Sequence, residues 1–333
     1  MNFQILIILF FSFCLVTSSG CKPSENKTGN DLNTTIDYKK EMRHFIQDIS
    51  LYAKHINSNF YIVVQNAQAL ITDSGDADGQ INSEYINSID GSGRESLLYG
   101  YKNRLDKLTP EKSYTEILKL CKLVSNLNIS LMITDYCKDI DNVNDSYKKN
   151  QENGFISFAA SSFALNRIPD YPDPVFNKNN EDINSLSSAK NFLYILDNSK
   201  YKAKEDFINS IDNTNYDIII MDLFLFDDLR FSKQEINSLK KKKNKGKRII
   251  LAYMSIGEAE SYRYYWNKIW ESKQPSWLLE ENPEWKNNYK VKYWEKEWQN
   301  IIYGDKNAYL DTILDSGFDG VYIDRADAYE YFE

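Results

Sequence analysis

Five apolar runs in this chain end in a polar or acidic side chain. Ile218-Ile219-Ile220-Met221 closes on Asp222, Ser255-Ile256-Gly257 leads to Glu258, and Gly320-Val321-Tyr322-Ile323 closes on Asp324. Val63-Val64-Gln65 ends at Asn66, and Leu131-Met132-Ile133-Thr134 ends at Asp135. One acid after a strand reads as a helix cap. Five polar strand ends together point to a shared, carboxylate-rich cleft. Carboxylates are also the acid–base groups the chain has to offer. Its two histidines, His44 and His55, fall on one amphipathic helical stretch, where surface or packing roles are the plain reading. That argues against a Ser-His-Asp triad and a His-rich zinc site. A pair of Asp/Glu side chains across a glycosidic bond is enough for sugar hydrolysis, with no cofactor and no metal.

The second chemical signal is aromatic. All six tryptophans lie between Trp266 and Trp298, with Tyr262, Tyr264 and Tyr265 just before them and Tyr289 and Tyr293 among them. Rings gathered directly after the Glu258–Glu260 strand end suggest a wall on which sugar faces stack, with Trp294 among its members. The plain alternative is the packing of one large loop. Two further motifs carry less. Asp73-Ser74-Gly75-Asp76-Ala77-Asp78-Gly79 has acids without the spacing of a calcium loop, and the position of the bidentate Glu is held by Tyr85. The basic run from Lys240 to Arg248 precedes a strand and reads as a solvated loop at the far end of the fold.

These residues need elements to hold them. Strand-type runs recur at Phe60–Asn66, Ile86–Gly91, Ile129–Tyr136, Gly154–Ala160, Phe192–Leu196, Tyr216–Asp222, Arg248–Ile256, Tyr289–Trp294 and Phe318–Asp324, with helical stretches between them. Such alternation means a parallel sheet covered by helices. Glycine-rich phosphate-loop and dinucleotide signatures are missing, which favours a barrel over a doubly wound sheet. Strand ends in a barrel converge on one face. Nine candidates exceed the eight of a (β/α)₈ barrel, so one is expected to be misread or to pack outside. Residues 38–56 form a strongly amphipathic helix behind an Asp37 cap. The stretch 166–190, rich in Pro, Asn and Ser, is the best linker in the body.

With 42% apolar residues, the 333-residue chain can bury a large core, and a net charge of −8 argues against a nucleic-acid partner. Residues 1–20 carry no charge and run from Ile5 through Phe11 to Ser18-Ser19-Gly20 before Cys21. This reads as an export signal rather than a membrane span. Its small-small-Cys ending resembles a bacterial lipobox, which makes Cys21 a lipidation site, residues 21–36 a flexible tether, and the protein exported and membrane-anchored. Cys121 and Cys137 are expected to be free thiols.

Longer strings resemble a known family. Arg248-Ile249-Ile250-Leu251-Ala252-Tyr253-Met254-Ser255-Ile256-Gly257-Glu258-Ala259-Glu260, then Tyr262-Arg263, Glu281-Asn282-Pro283-Glu284-Trp285 and Gly317-Phe318-Asp319-Gly320-Val321-Tyr322-Ile323-Asp324 resemble the endo-α-1,4-polygalactosaminidases of glycoside hydrolase family 114, especially the bacterial branch. The resemblance implies a (β/α)₈ TIM-type barrel and a galactosamine-containing polysaccharide as substrate. Phe60–Leu70 and Ile89–Gly100 resemble strands that come late in that family. The order is therefore expected to be circularly permuted within a single 37–333 barrel: late strands at 37–165, the linker at 166–190, early strands at 191–333. Asp324 matches the family's catalytic Asp. The partner Glu falls near Gln65-Asn66, where this chain has none, and the acid role passes to Glu95. The expected site is Asp324 with Glu95, shaped by Asp222, Tyr253, Glu258, Glu260, Arg263, Asn66, Asp327 and Trp294. A non-catalytic, glycan-binding lipoprotein on the same scaffold is the alternative, motivated by Asn66.

Overall fold

A computed structural model describes residues 36–226 and 229–333. The predicted signal, the lipidation candidate Cys21 and almost all of the tether lie outside the described residues. From Asp37 to Glu333 the chain forms one compact unit.

Eight parallel strands make a nearly closed barrel: β1 (Tyr61–Gln65), β2 (Gly91–Glu95), β3 (Ser130–Tyr136), β4 (Ile156–Ala160), β5 (Phe192–Ile195), β6 (Ile218–Met221), β7 (Ile249–Ser255) and β8 (Gly320–Asp324). Around the ring their order is β5-β6-β7-β8-β1-β2-β3-β4. Every neighbour in that order is paired in parallel, including β8 with β1, where Val63 lies opposite Tyr322. The ladder is open between β4 and β5, where the Phe158 and Phe192 rings fill the gap with their centroids 5.6 Å apart. The chain crosses that seam through the long irregular segment 161–191.

Helices cover the outside because each has one apolar stripe to bury. α1 (Tyr38–Ile56) turns Met42, Phe45, Ile46, Ile49 and Ala53 inward, and Asp37 caps it by accepting from the Lys40 amide at 2.9 Å. It is followed by the short α2 (Ser83–Ser88), then α3 (Glu111–Asn126), α4 (Ile140–Glu152), α5 (Lys204–Asp212), α6 (Lys233–Leu239), α7 (Lys296–Ile302) and α8 (Tyr309–Asp315). The Tyr52 hydroxyl of α1 donates to Asp311 of α8 at 2.5 Å, so α1 lies beside the helix that precedes β8. None of the described helices is long and apolar enough to cross a membrane.

Two strand expectations change. Ile86–Gly91 is not a strand: 83–88 is helical and the strand is Gly91–Glu95. Gly91 and Gly93 take interior positions of β2, so the run lacks the apolar residues that announce a strand. A Cβ on Gly93 would fall on the Tyr322 hydroxyl, so this glycine makes room for that ring. The ninth candidate does pack outside the barrel: Asn288–Val291 is the middle strand of a small antiparallel sheet with Glu258–Glu260 and Leu278–Glu281.

The basic run also departs from expectation. Lys242 is fully buried against Asp217 at 2.9 Å, and Arg248 is buried with its guanidinium on Thr214 and on the Ile211 carbonyl. Lys242 also donates to Asn179, which fastens the 161–191 crossing to the barrel's far end. Cys121 and Cys137 are free and buried, as expected.

Candidate active site

Period-two alternation in β1, β2, β3 and β8 sends Gln65, Glu95, Tyr136 and Asp324 to one end of the barrel interior. There they meet. The Gln65 amide nitrogen donates to Glu95 Oε2 at 2.9 Å and to Asp324 Oδ1 at 2.8 Å. Two such bonds on one nitrogen hold one oxygen of each carboxylate within about 6 Å of the other, close enough for both side chains to reach one glycosidic bond. Asn66 donates to Glu95 Oε2 at 3.1 Å and accepts from the Glu95 amide at 3.0 Å. Tyr136 donates a short hydrogen bond to Glu95 Oε1, and its ring stacks on Phe163 at 4.0 Å. Tyr253 donates to Asp324 Oδ2 at 2.8 Å.

A shared backbone device sets these ends. The residues immediately after Gln65, Glu95 and Asp324 are Asn66, Ser96 and Arg325, with φ of 56°, 53° and 58°. Left-handed backbone is costly for a residue with a Cβ and is often found where a site is held under strain. Here it turns the chain sharply away, leaving the last strand side chain over the barrel mouth. Gly257 supports the turn after β8, since a Cβ there would strike the Arg325 carbonyl and the Ala328 methyl.

Around this pair runs a charged rim. Arg263 holds Asp222 with both terminal nitrogens, at 2.8 and 2.7 Å, and Glu260 with Nε at 2.6 Å. Its guanidinium lies over the Tyr253 and Tyr309 rings, and Tyr262 donates to Glu260 at 2.6 Å. Glu258 accepts from Asn282 at 2.6 Å and Tyr331 at 2.7 Å, and pairs with Arg325 at 3.1 Å. Burial pushes the Glu258 carboxyl up, against the pull of Arg325. Glu95 is likewise raised, first by burial and then by the Asp324 charge, while its Tyr136 and Asn66 bonds act the other way. An upward shift of this kind suits a group that gives up a proton during a reaction.

The cleft above the pair has a volume of about 700 Å³ and reaches Trp285, Tyr262 and Phe226, whose rings are 40, 38 and 45% exposed. Among the described lining residues, seven are carboxylates (Glu95, Asp197, Asp222, Glu258, Glu260, Glu284 and Asp324) and the only cations are Arg263 and Arg325, both already in ion pairs.

Most of the expected site is thus brought together: Asp324, Glu95, Asp222, Tyr253, Glu258, Glu260, Arg263 and Asn66 all line this cleft. Three readings need correction. Asp135 faces away from it, fully buried and accepting from the Leu98 and Tyr99 amides, Ser146 and Asn150, so it ties β3 to α4. Trp294 packs on Tyr38 and Phe332 at 5.1 and 4.8 Å, where the first and last described elements meet. Asp327 stands half-buried beside the cleft, in the turn after β8, and not in its lining. The reading missed Gln65 and Tyr136. The signal for Gln65 was its place at the end of β1, next to the Asn66 that drew attention.

Comparison with known proteins bears on one side of this cleft. Residues 176–333 match the family model described as glycoside-hydrolase family GH114. That stretch contributes Asp222, Tyr253, Glu258, Glu260, Arg263, Trp285 and Asp324. Gln65, Asn66, Glu95 and Tyr136 come from outside the GH114 match. The chain is also similar to uncharacterised proteins from three organisms. It is 40% identical over 157 residues to one of Methanocaldococcus jannaschii (46% of this chain, 42% of the relative). To one of Thermotoga maritima it is 48% identical over 84 residues, 25% of each chain. To one of Deinococcus radiodurans it is 37% identical over 123 residues, 37% of each. The matched regions span less than half the length of these relatives.

Proposed function

We propose that the protein is a retaining glycoside hydrolase acting on a galactosamine-containing polysaccharide. The observation that carries this reading is the Glu95–Gln65–Asp324 bridge, which holds two carboxylates within reach of one bond on the floor of an open cleft. Asp324, which accepts from Gln65 and Tyr253, attacks the anomeric carbon while Glu95 gives its proton to the departing glycosidic oxygen. The glycosidic C–O bond breaks as an ester to Asp324 forms. Glu95, now a carboxylate, takes a proton from water. The water oxygen attacks the same carbon, the ester bond breaks, and both side chains return to their starting states. The surplus of acids along the cleft favours a chain bearing free amines, whose charge it attracts. The alternative of a glycan-binding protein without turnover rested on Asn66. Here Asn66 holds the acid that Glu95 supplies, which favours catalysis.

The test is reducing-end release from a galactosamine polymer. Asp324→Asn is expected to abolish it, and Glu95→Gln to lower it by about a hundredfold or more with the melting temperature unchanged. Full turnover by folded Asp324→Asn would sink the reading.

We further propose export and lipid attachment at Cys21, on the strength of the apolar leader and its small-small-Cys ending. α1, the first described element, begins on the cleft side of the barrel, with Lys39 paired to Glu333 beyond the β8 turn, so a tether before it would hold the mouth toward the membrane surface. Fatty-acid labelling of expressing cells should mark the protein and be lost in Cys21→Ser. Equal labelling of both would exclude this anchor.

A further inference from the structure

We infer that Gln65 is a positioning residue that couples the two carboxylates of the site, setting their separation and the order in which they lose protons. The inference rests on the hydrolase reading for its catalytic consequence and on geometry alone for the coupling. Gln65 is 2% exposed, and both N–H bonds of its amide are spent, one on each carboxylate. Its Oε1 is buried with no protein partner. Turning the amide over would set that oxygen against two carboxylate oxygens, so the nitrogen must face them.

Each N–H stabilises the ionised form of the carboxylate it meets, and the shared nitrogen keeps two like charges at a fixed distance. Without it, the pair loses a donor that it shares, and loss of the first proton from the pair opposes loss of the second more strongly. The other groups facing the pair come from several strands. Tyr136, Tyr194, Tyr253 and Tyr322 are all held far above the ordinary phenol range by burial and stay neutral across the window of interest. Arg325 stays charged. Glu258 and Asp327 are titratable neighbours that the Asp324 charge also raises.

Gln65→Met keeps the shape and removes the donors. In the full chain it should move both limbs of the pH–rate profile upward by about one pH unit, lower kcat by about ten- to a hundredfold, and change KM little. Carboxyl ¹³C titration of the same protein should show the same upward shift without any substrate. Gln65→Glu should regain part of the lost rate at acid pH, where its protonated form donates again to one neighbour. A role in folding alone would give neither the shift nor the acid rescue. Should Gln65→Met fail to fold, the acid rescue in Gln65→Glu decides. Cleavage by the wild type with unmoved titration and profile would overturn the coupling. Moved titration in a protein that cleaves no galactosamine polymer would overturn the hydrolase reading and leave the coupling standing.

Discussion

Asp327 shows how a single half-buried acid makes stability depend on pH. Its carboxyl is pushed up to about 7 from an ordinary value of 3.8, first by burial and then by the Asp324 charge. The folded state therefore keeps a proton that the unfolded chain releases near pH 4. Between about pH 4 and 7 the folded protein binds more protons, and its stability falls as pH rises. Asp327→Asn removes that dependence while keeping the side-chain shape. Its melting temperature should match the wild type near pH 4 and exceed it by several degrees at pH 8. Glu95 and Glu258 carry upward shifts of their own, so the slope of Asp327→Asn should be flatter than that of the wild type without vanishing. Melting curves that stay parallel from pH 4 to 8 would contradict this account. The same scale explains why Asp135 was misread. Strand β3 is buried on both faces from Leu131 to Tyr136, and a run without polar alternation gives no phase. Asp135 and Tyr136 look equally well placed in the sequence, yet only Tyr136 points at Glu95.

Elements differ in how openly they declare themselves. β6, β7 and β8 are Ile-, Val- and Leu-rich runs, and the sequence places them to within a residue or two. β2 is Gly-Ser-Gly-Arg-Glu, and its Gly93 answers to the Tyr322 ring contributed by a strand more than two hundred positions away. No local pattern contains that demand. Aromatic clustering is ambiguous for a related reason. Trp266, Trp270, Trp277 and Trp298 form a continuous packed chain with centroid spacings of 5.3, 5.0 and 5.1 Å, which anchors the small sheet to the barrel. Trp285, from the same stretch, is left to face the cleft. Composition marked the segment, but only packing separates its structural rings from those free to meet a sugar. Lys242 makes the point for charge. A run of lysines reads as solvated, and the Asp217 that draws one of them inside sits on a different strand end.

At the level of the whole molecule, chain order and ring order agree: β1 to β8 follow one another around the ring, with the ladder open between β4 and β5. Whether the ring can be opened at that seam and closed at the other has a direct test. Among the described residues the one unpaired junction in the ladder is β4–β5, and the exposed Asp173–Pro174 peptide lies in the segment that bridges it. The opposite joint is already closed in space. Lys39 pairs with Glu333 at 2.5 Å, and Tyr38 packs on Phe332 at 5.2 Å. A permutant running from Pro174 to Glu333, through about six Gly/Ser residues, to Asp37 and on to Asp173 breaks no ladder hydrogen bond. It keeps Asn179 on Lys242 and leaves Gln65, Glu95 and Asp324 on their own strands. Closed barrels are indifferent to where the chain is opened, provided the cut is exposed and the joined ends are near. The permutant should melt cooperatively within a few degrees of the 37–333 protein and show the same carboxyl titration. A soluble but non-cooperative product would mean that the connection across the β4–β5 seam holds the ring shut, with the Phe158–Phe192 contact too weak to do so alone.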